Sequence, residues 1–242
     1  MKMRALSNSF SINEEYWNDW TESFFDSTLV ETLTTLHKQL QSERRNLLKA
    51  RVERQNEYDN GALPSYLDKT SEAVTGNWKV TELPTDLQKR RVEITGPVND
   101  PKMVINMLSR NGEGARADTA MLDFEDSMCP TFQNVLDGYK NVTAVSEEEL
   151  SFTKSDGSKT YNLDPTDMAL MMIRVRGLHM DETNIQINGE PISAGLLDLA
   201  TCFYKTANNL TTQGRTPKYY VPKCEHHLEA RWWSRLFHSI EG

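Results

Sequence analysis

Ala120-Met121-Leu122-Asp123-Phe124 reads as one buried strand, and Thr131 to Val145 as the helix behind it. The run is apolar until it ends in charge at Asp123, Glu125 and Asp126. The same alternation continues on both sides. Upstream, Val92 to Thr95 is a short strand stopped by Gly96-Pro97, followed by a helical run from Lys102 to Arg110. Downstream, Met168 to Val175 is an apolar strand, and Ser193 to Leu210 a helix opened by a serine suited to N-capping. Tyr219 to Pro222 forms a fourth strand and Leu228 to Ile240 a fourth helix. Between the second and third units, Ser155-Asp156-Gly157-Ser158 links two short β-prone runs as an inserted hairpin. Four strand–helix units predict a parallel α/β sheet. From residue 90 onward there are about 150 residues, against ~250 for a closed eight-stranded barrel. The expectation is half a barrel.

The first 89 residues follow another pattern. Leu29, Val30, Leu33, Leu36, Leu40, Leu47 and Leu48 recur at helical spacing across 27–58. That spacing predicts one long helix, or two with a break near Gln41-Ser42, ended by Asn60-Gly61. From Leu63-Pro64 to Leu83-Pro84 the periodicity fades, and the stretch reads as a connector on the surface of the next unit. The chain therefore divides into a helical clasp with its connector, 1–89, and a strand–helix unit, 90–242.

Composition narrows the classes. Of 242 residues, 38% are hydrophobic and 26% charged, with 27 Lys and Arg against 35 Asp and Glu. A net charge of −8 opposes binding to nucleic acid or an anionic membrane. No apolar run approaches the ~20 residues of a membrane span. Cys129, Cys202 and Cys224 are scattered and odd in number, as in a reducing compartment. Neither a secretory signal nor a peroxisomal Ser-Lys-Leu ending is present in these residues.

In parallel α/β folds, function gathers at the C-terminal strand ends. Those ends carry Asp123, Glu125 and Asp126 on one strand, Arg174-Val175-Arg176-Gly177-Leu178-His179 on another, and Pro222-Lys223 on a third. Strand alternation puts Asp123 and Glu125 on one side, where such a pair holds a divalent metal or its water shell. The same cluster is also what a helix cap requires. At most one of Arg174 and Arg176 is expected to face the mouth, the other serving a structural ion pair. Adjacent His226 and His227 are unsuited to joint metal ligation, and Trp232-Trp233 reads as packing. Gly112-Glu113-Gly114-Ala115-Arg116-Ala117 fits G-x-G-x-x-A but follows a helix and precedes a strand, the reverse of a dinucleotide fingerprint.

Several blocks together resemble one family, the A-type malate synthases. They are Arg90 to Val98, Lys102 to Asn106, Leu122 to Ser127, Arg174 to His179, Gly189 to Ser193 and Tyr220 to Lys223, in the family's order. Arg45 to Leu48 and Asp59 to Pro64 extend the resemblance into the helical region. It implies a partial TIM (β/α)8 barrel preceded by a helical clasp. It also implies condensation of acetyl-CoA, glyoxylate and water to malate and CoA with Mg²⁺, in the cytosol or peroxisome. By motif position Arg174 matches the catalytic arginine. Asp123 and Glu125 match the acidic strand end that meets the metal through water, and Gly177 and His179 shape the mouth. The blocks bearing the direct metal ligands and the catalytic Asp are expected beyond Gly242. The chain by itself is therefore expected to be inactive and to self-associate through an open barrel edge. The alternatives are a non-catalytic interaction partner and a related CoA-ester lyase.

Overall fold

The computed structural model describes residues 1–241. The chain starts with strands β1 (Met3–Ala5) and β2 (Phe10–Asn13) and a short helix α1 (Asp19–Phe24). Asn18 caps α1 by accepting from the Trp20 and Thr21 backbone, while its own N–H donates to the Thr21 hydroxyl at 2.8 Å. The leucine-rich stretch is a single helix, α2 (Ser27–Asp59), of 33 residues. It runs through Gln41-Ser42 without a break. Gln41 is buried there beside Leu40 and Arg44, so a polar pair sits inside a continuing buried stripe. Asn60 closes the helix, and Gly61 turns the chain at φ 94°, a left-handed geometry open to glycine. The connector that follows is exposed along nearly its whole length and holds one turn of helix, α3 (Glu72–Thr75). Asp86 ties it down, accepting from the Thr216 N–H and hydroxyl at 3.0 Å each and pairing with Lys218 at 2.7 Å.

The alternating region is β3 (Glu93–Pro97), α4 (Pro101–Leu108), β4 (Thr119–Asp123), α5 (Phe132–Ser146), β5 (Ser151–Thr153), β6 (Thr160–Asn162), β7 (Leu170–Arg174), β8 (Asp181–Ile187), β9 (Glu190–Ser193), α6 (Ala194–Thr212), β10 (Tyr219–Tyr220) and α7 (His227–Glu241). Strands β3, β4, β7 and β10 form a parallel sheet in the order β10-β7-β4-β3, and each is followed by a helix. The register aligns Pro97, Asp123, Arg174 and Tyr220 in one row at the C-terminal ends. Ala120, Leu122 and Ile173 alternate with that row and join the core with Val104, Leu108, Val135, Val142 and Leu199. Burial of each large aliphatic side chain there contributes about 1.5–3 kcal/mol. Among the described residues the sheet remains open, with β3 and β10 at its edges.

A second, antiparallel sheet was not expected from the residues: its order is β1-β2-β8-β9. The β8–β9 hairpin turns at Asn188-Gly189 with φ 52° and 79°, the geometry that Asn-Gly favours. It receives the N-terminal strands along β8, so residues 3–13 pack against residues more than 170 positions later, as in the 2.8 Å bond from Asn13 to Asn184. Helix α2 lies across this assembly. Arg44, almost wholly buried, donates to the Leu178 and Met180 carbonyls and pairs with Asp181 at 2.6 Å. Trp232 of α7 donates its indole N–H to the Leu40 carbonyl at 3.1 Å.

Candidate active site

Asp123 ends β4, fully buried, and organises the loop after it. One carboxylate oxygen accepts from the Glu125 N–H at 2.8 Å; the other accepts from the Ser127 N–H and hydroxyl at 3.0 and 2.9 Å. That is the capping role open to an acidic strand end, and it coexists with a second one. The neighbouring strand β7 ends at Arg174, which reaches Asp123 at 3.4 Å, Glu125 at 2.7 Å and Asp126 at 2.5 Å. Its guanidinium lies 5.6 Å from the ring centroid of Tyr220, the next strand along. Burial lowers the Arg174 pKa, but the bond to Asp126 and the charges of Asp123, Asp126 and Glu125 outweigh it, and the net shift is upward.

Lys223, at the third of the strand ends expected to gather function, completes the cluster. Its backbone adopts φ 54°, and its carbonyl accepts from Arg51 of α2 at 2.9 Å. Its ammonium group meets Asp126 at 2.9 Å and Glu125 at 3.1 Å. Bonds to Lys223 and Arg174 hold the Asp126 carboxyl below its usual range. One buried polar atom in this cluster, Arg174 Nε, makes no hydrogen bond.

Gly177 and His179 border the same carboxylates. A Cβ on Gly177 would come 2.7 Å from the His179 ring and 3.0 Å from Glu125 Oε1, so only glycine leaves both where they are. His179 is exposed. Arg176 points the other way. It is buried, bound to Asp198 at 2.8 Å and Glu182 at 2.7 Å, and Tyr139 adds a 2.7 Å bond to Asp198. The two arginines thus point opposite ways, with Arg176 as the structural pair, because β7 ends at Arg174 and Arg176 lies in the turn beyond it; along a continuing strand the two would share a face. His226 and His227 lie tilted against each other at 4.1 Å between centroids, away from the mouth, and Trp232 and Trp233 are buried edge-to-face.

Chemically, the mouth presents a guanidinium and an ammonium group over three carboxylates. Arg174 is positioned to receive a developing oxyanion. As a metal centre the cluster is incomplete: no group of three or more His, Cys, Asp or Glu side chains suited to a metal occurs among the described residues. Asp123 already accepts at both oxygens, and Glu125 Oε1 already faces the Lys223 ammonium group at 3.1 Å.

Comparison with known proteins gives a consistent result. The family model described as the malate synthase N-terminal domain matches residues 28–72, and that of the malate synthase TIM barrel domain matches residues 170–242. Malate synthase A of Escherichia coli K12 is 40% identical over 212 residues, which are 88% of this chain and 38% of that protein. Malate synthase of Myxococcus xanthus is 41% identical over 213 residues, again 88% and 38%. The glyoxysomal malate synthase of Candida tropicalis is 36% identical over 221 residues, 90% of this chain and 39% of that protein. The chain thus spans less than two fifths of the length of these relatives. With the ordered blocks from Arg90 to Lys223 and the parallel sheet they build, these matches show that the chain belongs to the malate synthase family, in its N-terminal portion.

Proposed function

We propose that this site is the enolate-stabilising half of a malate synthase centre, which joins acetyl-CoA, glyoxylate and water into malate and CoA. The observation that carries the reading is Arg174, fixed at a strand end by three carboxylates with its Nε unpartnered. In the reaction a carboxylate base removes a proton from the acetyl methyl group. The resulting enolate attacks the aldehyde carbon of glyoxylate, and water then cleaves the malyl thioester to release CoA. Arg174 supports the enolate oxygen. Gly177 keeps the floor of the mouth low, and His179 borders it.

The described residues do not supply a self-sufficient Mg²⁺ site. Asp123 and Glu125 would meet the ion through water, and no step above is assigned to it. A base is missing in the same sense. Asp126 is the nearest carboxylate, but its two cationic partners favour its ionised, already paired form and make it a poor proton acceptor. The sheet is read as the first half of a TIM barrel over 90–242, with 1–89 as clasp and connector and self-association at the open edges. The setting proposed is cytosolic or peroxisomal.

The test is a chimaera in which this chain is followed by the remaining length of Escherichia coli malate synthase A. Glyoxylate-dependent thiol release from acetyl-CoA is expected from it. Arg174→Lys, which keeps the charge and loses the planar fork, is expected to lower kcat by ~10²-fold or more. Near-normal turnover in that variant would remove Arg174 from the chemistry. The chain alone is expected to release no CoA. Release above a heat-inactivated control would mean that Asp126 acts as the base after all.

A further inference from the structure

We propose that Arg51, on the long helix of the clasp, is a positioning residue of the mouth: it fixes the turn that aims Lys223 at Glu125 and Asp126, and so sets how much negative charge Arg174 faces. The inference rests on the reading of Arg174 as the oxyanion donor and adds a residue that touches none of the reacting atoms. Strand β10 ends at Tyr220 and α7 begins at His227, so the segment between them has neither a ladder nor a helix to hold it. Lys223 lies there at φ 54°, a left-handed conformation that a residue with a side chain keeps only where its surroundings over-determine it. Arg51 supplies that constraint. Its Nη2 donates to the Lys223 carbonyl at 2.9 Å and fixes the peptide plane that follows Lys223.

The same guanidinium donates from Nε and Nη2 to the two oxygens of Glu229, at 2.8 Å each, and pairs through Nη1 with Glu225 at 3.1 Å. Glu229 in turn accepts from the Glu225 N–H at 2.9 Å. One planar fork therefore grips the turn at 223, 225 and 229. The Arg51 side chain is 13% exposed and that of Glu229 only 1%, so the fork itself is held from within. A lysine in its place would keep the charge but not the three directions. At the far end of Lys223, the ammonium group is shared between Asp126 at 2.9 Å and Glu125 at 3.1 Å, the two acids that Arg174 also binds. Two cations thus divide the charge of these carboxylates. With Lys223 relaxed to an ordinary negative φ, its side chain leaves them and Arg174 alone faces three carboxylates. Its positive charge is then more fully neutralised before any reaction starts, and a developing oxyanion gains less from it. The clasp acts on the mouth through a single backbone carbonyl.

Competitive acetylation with trace acetic anhydride, read by mass spectrometry on the whole chain, reports how free each lysine amine is. Arg51→Lys is expected to raise the rate at Lys223, relative to exposed Lys154, by ~3–5-fold as its ion pairs are lost. Arg51→Met combined with Glu229→Met, which strands no buried charge, is expected to do the same. Trp232→Phe loosens the same helix at Leu40 and is expected to leave the Lys223 rate unchanged. In the chimaera, Arg51→Lys is expected to lower kcat ~10-fold with the KM for acetyl-CoA unchanged, because the oxyanion exists only in the transition state. A Lys223 rate equal to the parent's in both Arg51 variants, or an equal rise in Trp232→Phe, would reduce Arg51 to a fastening and overturn the proposal. A freed Lys223 with undiminished kcat would overturn it too. If Arg51→Lys fails to fold, the double variant carries both measurements. An inactive chimaera counts against the enolate reading, while the labelling still decides whether Arg51 places Lys223.

Discussion

Arg174 and Arg176 are two positions apart and differ in everything but charge. Removing Arg176 strands Asp198 and Glu182 in the interior, and an unpaired buried charge costs about 3–5 kcal/mol. Urea denaturation of Arg176→Met is expected to show a loss of that size. Arg174→Lys is expected to cost less than that, because the ammonium group keeps a positive charge opposite Asp123 and Glu125. The glycines divide in the same way. A Cβ on Gly195 would meet the Arg176 carbonyl at 2.4 Å and Trp233 at 2.7 Å, both held rigidly. Gly195→Ala is expected to cost about 1–3 kcal/mol or more by overpacking. At Gly177 the obstacles are a free histidine ring and a carboxylate tip, so Gly177→Ala is expected to spare stability and, in the chimaera, reduce turnover. Strand alternation would put both arginines on one face, and they part only because β7 ends at Arg174; the sequence does show that the strand end carries an arginine toward the mouth. It does not show which, since the deciding Asp198 stands 22 residues later on another element. Lys223 was named at a strand end, but its pairing with Glu125 and Asp126 was not legible for a related reason: its backbone is left-handed and its carbonyl is held by Arg51 from far along the chain.

Among elements, the strands and helices of the parallel sheet were legible because each is an uninterrupted apolar run or a capped amphipathic stretch. The antiparallel sheet was not. Strand β8 buries Glu182 against Arg176, one position out of step with the alternation of Ile185 and Ile187, and a register irregularity between Glu182 and Gln186 takes up the slip. Strands β1 and β2 are too short to show a period, and Asn188-Gly189 was the one local sign of the hairpin. Between α2 and α7 the decisive link is ionic. Arg51 grips Glu229 through two bonds of 2.8 Å and meets Glu225 at 3.1 Å. Burial raises the Glu229 pKa, but the Arg51 bonds, the Glu225 N–H and the charges of Arg51 and Arg54 outweigh it and bring it below 4.5. A carboxylate depressed in the folded state contributes stability that is complete above its unfolded value and lost as the pH falls through the folded one. Thermal melts from about pH 5 to about pH 3 are therefore expected to fall less steeply for Glu229→Gln than for the parent chain.

For the whole molecule, the open sheet and the acidic surface oppose each other. Each copy carries −8, so association works against a long-range repulsion that added salt screens, the Debye length shrinking from ~10 Å at 0.1 M to ~3 Å at 1 M. An apolar edge contact is expected to tighten as sodium chloride rises from low to near-molar concentration; sedimentation at both extremes checks this. An association held by surface ion pairs would loosen instead. The half-barrel itself was legible from the count of strand–helix units. The way the long helix of the clasp is fastened was not, since its links to Leu178, Glu229 and Trp232 join residues more than 130 positions apart.

That fastening sets a timetable for synthesis. The buried stripe of α2 packs against β9, α6 and α7, and its bond to Trp232 spans 192 residues. At about 5–20 residues per second, a ribosome takes roughly 10–40 s to deliver that tryptophan after Leu40 has been made. For that interval a 33-residue amphipathic helix waits with its leucines uncovered, and it is the part of the nascent chain that a chaperone would meet first.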